Sequence, residues 1–244
     1  MADWQSRARD LAIALVAAML GDAHAHAQDA ISSDRPGFST GPGTVAQGQL
    51  QVEAGAQYDD GADGVALPLA LFRYGVGERT EVRATWNGGV LGDGRGGTAG
   101  GAVEIKRTLT DGERVQTGLL LGVAIPSGGG PLDPSAGFLW SASVTDALSV
   151  FGTTTAGPAA QADGERRWTV TNAVGLGFSL SGQLGLFAEH FVSATEGEGE
   201  QAHIVDGGVT WLVTDDLQLD ITGGVSVGEA DVGSFLGGGL AYRF

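Results

Sequence analysis

The chain contains no cysteine and few basic residues: 13 Lys and Arg stand against 29 Asp and Glu, a formal net charge of −16. The lack of cysteine suits an exported protein that crosses an oxidising compartment. The shortage of basic residues argues against nucleic-acid binding, because phosphate contacts require a basic face. We therefore expect no nucleic-acid partner.

Long apolar runs are also scarce. After residue 27 no apolar stretch approaches the roughly 18 residues that indicate a transmembrane helix, which excludes a helical inner-membrane transporter. The one marked apolar run, residues 11–20, follows two arginines and precedes Ala25-His26-Ala27, which fits a small-x-small cleavage site. Residues 1–27 are therefore predicted to be a cleaved signal peptide, with an amphipathic helix of a cytosolic protein as the alternative.

Glycine, by contrast, is abundant at 43 residues, where an average usage of roughly 7% would give about 17. The glycines follow no Gly-X-Y period, so a collagen-like chain is excluded. Many of them lie in the connections between short segments in which apolar and hydrophilic residues alternate.

The alternating segments begin at residue 49. The apolar face of the first segment consists of Leu50, Val52, Ala54, Ala56 and Tyr58. Successive side chains of a strand point to opposite sides, so about ten residues with this pattern make one tilted transmembrane strand. Counting all such segments gives about 12 strands.

The connections between these segments alternate in length. Five short turns, such as 110–113, alternate with six generally longer and glycine-rich loops, such as 88–98. Short periplasmic turns and longer outer loops are typical of bacterial outer-membrane barrels. We predict an all-β fold, a transmembrane antiparallel β-barrel of about 12 strands over residues 47–244. Residues 28–46 are predicted to form a periplasmic amino-terminal segment.

A soluble β-sandwich or lipocalin-like barrel would alternate in the same way, with its apolar face turned inward. Aromatic residues near the strand ends favour the membrane, where they form interfacial girdles. The chain also ends in Tyr242, Arg243 and Phe244, an aromatic ending that we interpret as an assembly signal. The expected partners are outer-membrane lipid, lipopolysaccharide and the barrel assembly machinery.

Charged residues of the hydrophilic face are candidates for the lumen and for solute selectivity. They are Glu53, Arg73, Glu81, Arg83, Glu104, Lys106, Glu189, Asp206, Asp220 and Arg243. These charges either pair across strands and brace the wall, or form a constriction that selects solutes. The orientation of segment 65–74 is ambiguous, because an outward Leu71 also turns Arg73 outward. A lipid-facing arginine at mid-bilayer costs roughly 2–4 kcal/mol, so we favour Arg73 inward.

Residues 33–40, Ser-Asp-Arg-Pro-Gly-Phe-Ser-Thr, resemble the Ser/Thr-Asp-Arg-Pro opening of outer-membrane transporters of the MetA-pathway of phenol degradation family. Residues 47–55 resemble the first strand of that family, and 73–76 with 78–83 resemble the second and third. The resemblance extends over essentially the whole mature chain and implies an outer-membrane barrel with a transport role. The family-like motif is Asp34, Arg35 and Pro36.

Two placements of this motif remain open. It folds into the barrel, with Arg35 meeting carboxylates of the lumen, or it belongs to a flexible lead-in outside the barrel. About 12 strands lie between the filled eight-stranded barrels and the 16–18-stranded porins with wide aqueous channels. A narrow or gated passage is therefore expected rather than a large pore.

The sequence offers no catalytic constellation. His190 and His203 are the only histidines after residue 27, and Ser193 lies on the opposite face of a strand from His190. Two isolated histidines without cysteine predict no metal site, and no cofactor is expected. We predict a non-enzymatic channel or passive transporter for small, hydrophobic or aromatic solutes. The alternatives are a non-conducting structural or adhesion barrel and, third, a barrel hydrolase.

Overall fold

The computed structural model describes residues 30–61, 63–92, 97–98, 100–161, 164–228 and 230–244. The predicted signal peptide lies outside these described residues. Over the same ranges, no helix is long and apolar enough to span a membrane.

One antiparallel sheet contains all the strands of the described residues. They are β1 (Leu50–Asp59), β2 (Gly64–Gly77), β3 (Thr80–Trp86), β4 (Gly89–Leu91), β5 (Gly97–Thr98), β6 (Gly101–Asp111), β7 (Val115–Ile125), β8 (Asp133–Ser143), β9 (Leu148–Ala160), β10 (Arg166–Ser179), β11 (Leu184–Thr195), β12 (Ala202–Thr214), β13 (Leu217–Ser226) and β14 (Ser234–Arg243). Strands β4 and β5 form a short hairpin beside β2. The other twelve close into a barrel, because β1 pairs with both β2 and β14. The prediction of an all-β barrel of about 12 strands is confirmed.

The two faces of the wall are inverted relative to a soluble protein. Apolar side chains cover the exterior, where Leu121 is 57% exposed. Charged side chains point into the lumen, where Glu53 and Lys106 are fully buried. An apolar exterior around a polar interior is the arrangement that a barrel needs in a lipid bilayer.

The connections define two ends of the barrel. The turn end carries the short connections, such as residues 112–114 between β6 and β7 and residues 215–216 between β12 and β13. The loop end carries the generally longer ones, including residues 196–201 between β11 and β12. Strand β1 begins, and β14 finishes, at the turn end.

Residues 30–46, which we expected to belong to a periplasmic segment, instead lie inside the barrel, and we call them the luminal segment. At the turn end the amide of Ile31 donates to the carbonyl of Asp215 at 2.7 Å. Deeper in, the amide of Thr40 donates to the Thr153 hydroxyl at 2.9 Å. The segment then returns to the turn end, where Gln47 bridges to β2. Of the two placements that the sequence left open, the structure has the one inside the barrel.

The return of the luminal segment to the wall depends on one glycine. Gly75 of β2 lies directly against the backbone of Ala46, and a Cβ at Gly75 would overlap the carbonyl oxygen of Ala46. Any larger residue would push the luminal segment off the wall at this point.

Candidate functional site: a luminal ion-pair cluster

The luminal segment is attached to the wall mainly through Asp34. Its Oδ2 lies 2.9 Å from Arg83 Nη1, 3.0 Å from Lys106 Nζ and 3.4 Å from Arg73 Nη1. The other oxygen accepts a hydrogen bond from the Gly41 amide at 3.0 Å. Burial favours the neutral acid, but the three cations outweigh it and hold the pKa of Asp34 well below its usual range.

Arg73 is the best-connected cation of the lumen. Its Nε and Nη2 donate to the two carboxylate oxygens of Glu81 at 2.9 and 3.0 Å, and its Nη1 donates to Glu53 at 3.0 Å. Such a two-pronged contact is the strong geometry for arginine and a carboxylate. Arg73 is only 1% exposed while the preceding Phe72 is 46% exposed. The strand phase that we favoured for segment 65–74, with Arg73 inward, is therefore the one that the structure shows.

Glu53 binds the backbone of the luminal segment. Its carboxylate accepts hydrogen bonds from the amides of Asp34 and Arg35 at 3.1 and 2.9 Å, and from the Ser33 hydroxyl at 2.9 Å. The Gln51 side chain adds a fourth donor at 2.8 Å. A buried carboxylate with this many donors is well compensated, so Glu53 fixes where the Asp-Arg-Pro motif enters the lumen.

Six inward-facing charged residues of β1, β2, β3 and β6 form one group with Asp34, which we call the ion-pair cluster. Its members are Asp34, Glu53, Arg73, Glu81, Arg83, Glu104 and Lys106. The wall alone contributes three carboxylates and three cations, and the luminal segment adds the fourth carboxylate. The cluster therefore carries a surplus of one negative charge.

Arg35 makes a second attachment of the luminal segment, to Asp220 of β13. Its Nε and Nη2 donate to the two oxygens of Asp220 at 3.2 and 3.1 Å. Gly55 and Gly239 make room for the guanidinium, since a Cβ at either position would come within 2.6 or 2.7 Å of it. Part of the glycine content of β1 and β14 is thus explained by this one arginine.

The tip of the luminal segment contacts β11. The amides of Phe38 and Ser39 donate to the Glu189 carboxylate, the second at 3.3 Å. The Phe38 ring stacks on Phe191, with ring centroids 4.2 Å apart. Asp206 lies directly opposite Glu189 in the ladder between β11 and β12. These contacts hold the tip deep in the lumen, toward the loop end.

The remaining predicted residues lie apart from the cluster. Arg243 lies at the turn end, where its Nε donates to Asp216 at 2.8 Å. Tyr242 and Phe244 lie on the exterior at the same end, with their rings in edge contact at 4.7 Å. Arg243 is the last residue of β14 and borders the turn-end cavity, away from the ion-pair cluster.

Three cavities border the luminal segment. The one toward the loop end measures about 280 Å³ and is lined by Phe38, Leu69, Leu71 and Phe235, together with polar groups. The one at the turn end measures about 570 Å³ and is lined by polar and charged residues that include Arg79. The luminal segment lies between these two, and a third cavity of about 300 Å³ lies beside it, lined on the wall side by Gln116, Ser141, Phe151, Phe187 and Thr210.

A family model described as "Putative MetA-pathway of phenol degradation" matches residues 33–244. The chain belongs to this family. The match begins at Ser33, so in this phenol-degradation family member the matched region includes the Asp34-Arg35-Pro36 motif that enters the lumen. No curated protein matches the sequence.

Solved structures resemble this phenol-degradation family member in fold. The NanC porin has a TM-score of 0.59 at 10% identity, covering 80% of this chain and 98% of that one. The KdgM porin has a TM-score of 0.59 at 10% identity, covering 80% and 99%. An outer membrane channel from Pseudomonas putida F1 has a TM-score of 0.57 at 11% identity, covering 80% and 94%. At such low identities the likeness shows the fold, that of an outer-membrane β-barrel.

Sequence reasoning missed the neutral partners of the cluster. Gln51 and Thr153 are both buried and both hydrogen-bond to the luminal segment or its carboxylate partners. The signal that could have found Gln51 is its position two residues before Glu53, on the same face of β1. For Thr153 no such signal exists, because its partner Thr40 lies 113 positions away in the sequence.

Proposed function

We propose that the protein is an outer-membrane channel for small solutes whose lumen is closed by its own amino-terminal segment. One observation carries this proposal: the luminal segment, fixed by buried ion pairs, lies between a cavity at the loop end and a cavity at the turn end. Solute can pass only beside the luminal segment or after its displacement. The protein is then a gated passage rather than an open pore.

The lining of the loop-end cavity favours hydrophobic or aromatic solutes. Phe38, Leu69, Leu71 and Phe235 supply apolar surface, while Gln57 and Thr85 supply a few polar groups. The two charged residues of the lining, Arg35 and Glu53, are already paired with Asp220 and Arg73. Apolar walls with a few polar groups are typical of small-molecule sites. The name of the family, which refers to phenol degradation, agrees with a small aromatic solute.

Acidic solutes fit the lumen less well. One structure of the KdgM porin is a complex with oligogalacturonate, a polyanion. That structure has a TM-score of 0.55 and 12% identity to this chain. Here the ion-pair cluster has a surplus of carboxylate, and Glu189 and Asp206 add two more acidic groups near the tip. Repulsion by these groups should disfavour anions in the passage.

A non-conducting structural barrel is the second candidate. It is favoured by the number of contacts that Arg73 makes, since a fully paired arginine braces β1, β2 and β3 whether or not anything passes. Such a barrel would keep the luminal segment in place permanently. An enzyme has less support, because His190 lies on the exterior and contacts His203 rather than Ser193.

We also propose how the protein reaches the membrane. Residues 1–27 would direct export and be removed, and the exposed aromatic pair Tyr242 and Phe244 would be recognised by the barrel assembly machinery. Lipid and lipopolysaccharide would then surround the apolar exterior. The edge contact of the two rings on the outside of β14 supports this role, because it leaves both accessible.

Liposome uptake tests the proposal. The refolded mature protein should admit small neutral aromatic solutes faster than acidic sugars of similar size, and the variant Asp34→Asn should raise both rates. A matched control is Asp216→Asn, which removes a carboxylate from the turn-end pair with Arg243 but leaves the ion-pair cluster intact. If neither protein admits any solute above the rate of empty liposomes, the structural barrel is the better account.

A further inference from the structure

The two histidines of the described residues meet on the exterior of the barrel. His190 belongs to β11 and His203 to β12, and His203 lies opposite Val192, one diagonal step from His190. His190 Nε2 and His203 Nδ1 face each other at 3.1 Å. The rings are 5.2 Å apart with an angle of 29° between their planes.

The position of the His203 ring is fixed by the backbone next to it. A Cβ at Gly228 would lie 3.1 Å from the imidazole, so the absence of a side chain there leaves room for the ring. The carbonyl of His203 accepts the amide of Val227 at 2.9 Å, just where β13 ends and the loop to β14 begins. His203 is therefore held at the loop end of the wall, and His190 is exposed beside it.

The side chains directly opposite His190 in the sheet are apolar and offer it no hydrogen-bond partner. His190 lies between Val174 of β10 and Val205 of β12, both on the apolar exterior. An exposed polar side chain on this face has to find a partner, and each imidazole finds the other. Histidine is also the commonest metal ligand in proteins, and its imidazole suits Zn, Cu and Ni.

We propose that His190 and His203 together bind one divalent transition-metal ion of the Cu²⁺, Ni²⁺ or Zn²⁺ class on the outer wall. Imidazole nitrogens bind zinc at about 2.0–2.1 Å, so two nitrogens 3.1 Å apart would subtend an angle of about 100° at the metal. That angle lies between square-planar and tetrahedral values. For both facing nitrogens to bind the metal, the proton between them moves to the outer nitrogen of the ring that carries it, so both rings stay neutral.

The two rings supply only part of a coordination shell. Over the described residues, no group of three or more His, Cys, Asp or Glu side chains could hold a metal. Water, or a phosphate of a lipid headgroup, would complete the coordination, which makes this an open site rather than a closed structural one. Among the three metals, Cu²⁺ should bind most tightly. The pair could not be recognised from the sequence, because the histidines are 13 positions apart and only the register of β11 and β12 brings them together.

Titration of the untagged mature protein in detergent with Cu²⁺, followed by electron paramagnetic resonance, tests the proposal. The spectrum should show one equivalent of copper bound by two imidazole nitrogens. His190→Ala and His203→Ala should each lower the affinity by more than about tenfold, since even loss of an outer-shell partner costs about 10–100-fold. Asn172→Ala is a matched control, because Asn172 also lies on the exterior and its side-chain amide donates to Thr154 rather than to either histidine.

Gel electrophoresis separates a folding defect from a binding defect. A folded barrel should migrate differently in unheated and in heated samples, because heating unfolds it. A variant that keeps this difference in migration is folded, so its loss of copper can be assigned to the missing ligand. The proposal is overturned if the wild type binds no stoichiometric copper, or if His190→Ala/His203→Ala binds copper as the wild type does. In either outcome the two rings are only a hydrogen-bonded pair.

Discussion

Replacing Asp34 with asparagine should release the luminal segment without unfolding the barrel. The substitution removes the charge that faces Arg73, Arg83 and Lys106 but keeps the shape and the acceptor for the Gly41 amide. The wall carries all the other members of the ion-pair cluster, and their mutual pairs remain. The free energy lost with these ion pairs therefore weakens the docking of the luminal segment rather than the folding of the barrel.

The size of this effect follows from what each cation retains. Removing one partner from a buried ion pair costs about 3–5 kcal/mol. Arg73 keeps Glu53 and Glu81, Arg83 keeps Glu104, and Lys106 keeps Glu81, so we expect the lower end, about 3 kcal/mol. At about 1.4 kcal/mol per factor of ten, the undocked population should rise roughly 100-fold.

A thiol probe can measure that population, because the protein has no cysteine of its own. Ser39→Cys places one thiol near the tip of the luminal segment, next to Glu189. Its labelling by a water-soluble reagent should be roughly 100-fold faster with Asp34→Asn, whereas Asp216→Asn should leave the rate unchanged. Equal labelling rates with and without Asp34→Asn would refute the reasoning, since docking would then not depend on the cluster.

Three other predictions concern the wall and its assembly. Changing all three glutamates of the ion-pair cluster to glutamine should lower the unfolding temperature of the barrel, measured on gels as the temperature at which the band of the folded protein disappears. The reason is that three buried cations would then share one carboxylate. An unchanged temperature would show that the three glutamates are not needed to brace the wall. Deleting Phe244 should lower the yield of folded barrel in cells and leave refolding into detergent nearly intact, and equal cellular yields would remove the case for an assembly signal. In proteoliposomes a cysteine replacing Gln57 should react with a membrane-impermeant thiol reagent, and one replacing Val103 should not; the reverse would invert the assignment of the two faces.

The strands could be predicted because their information is local. The alternation of Leu50 to Tyr58, with hydrophilic residues between them, needs only the period of a strand. Segment 65–74 was harder, because its alternation is broken and apolar residues adjoin Arg73. There the cost of a charge in lipid, rather than the alternation, gave the orientation that the structure shows.

The luminal segment could not be placed from the sequence, because its contacts are distant along the chain. Arg35 pairs with Asp220, 185 positions away, and Phe38 contacts Glu189, 151 positions away. Closing the barrel brings β1 and β14 together, and only then do Asp220 and Glu53 face the same segment. The same limit concealed the pair of His190 and His203.

The central claim is that the luminal segment closes a channel, and single-channel recording in a planar bilayer tests it most directly. The wild type should show rare, brief openings, and Asp34→Asn should show sustained conductance that favours cations because carboxylates outnumber bases among the other charged groups near the segment. Identical recordings from the two proteins, whether both open or both silent, would contradict the account.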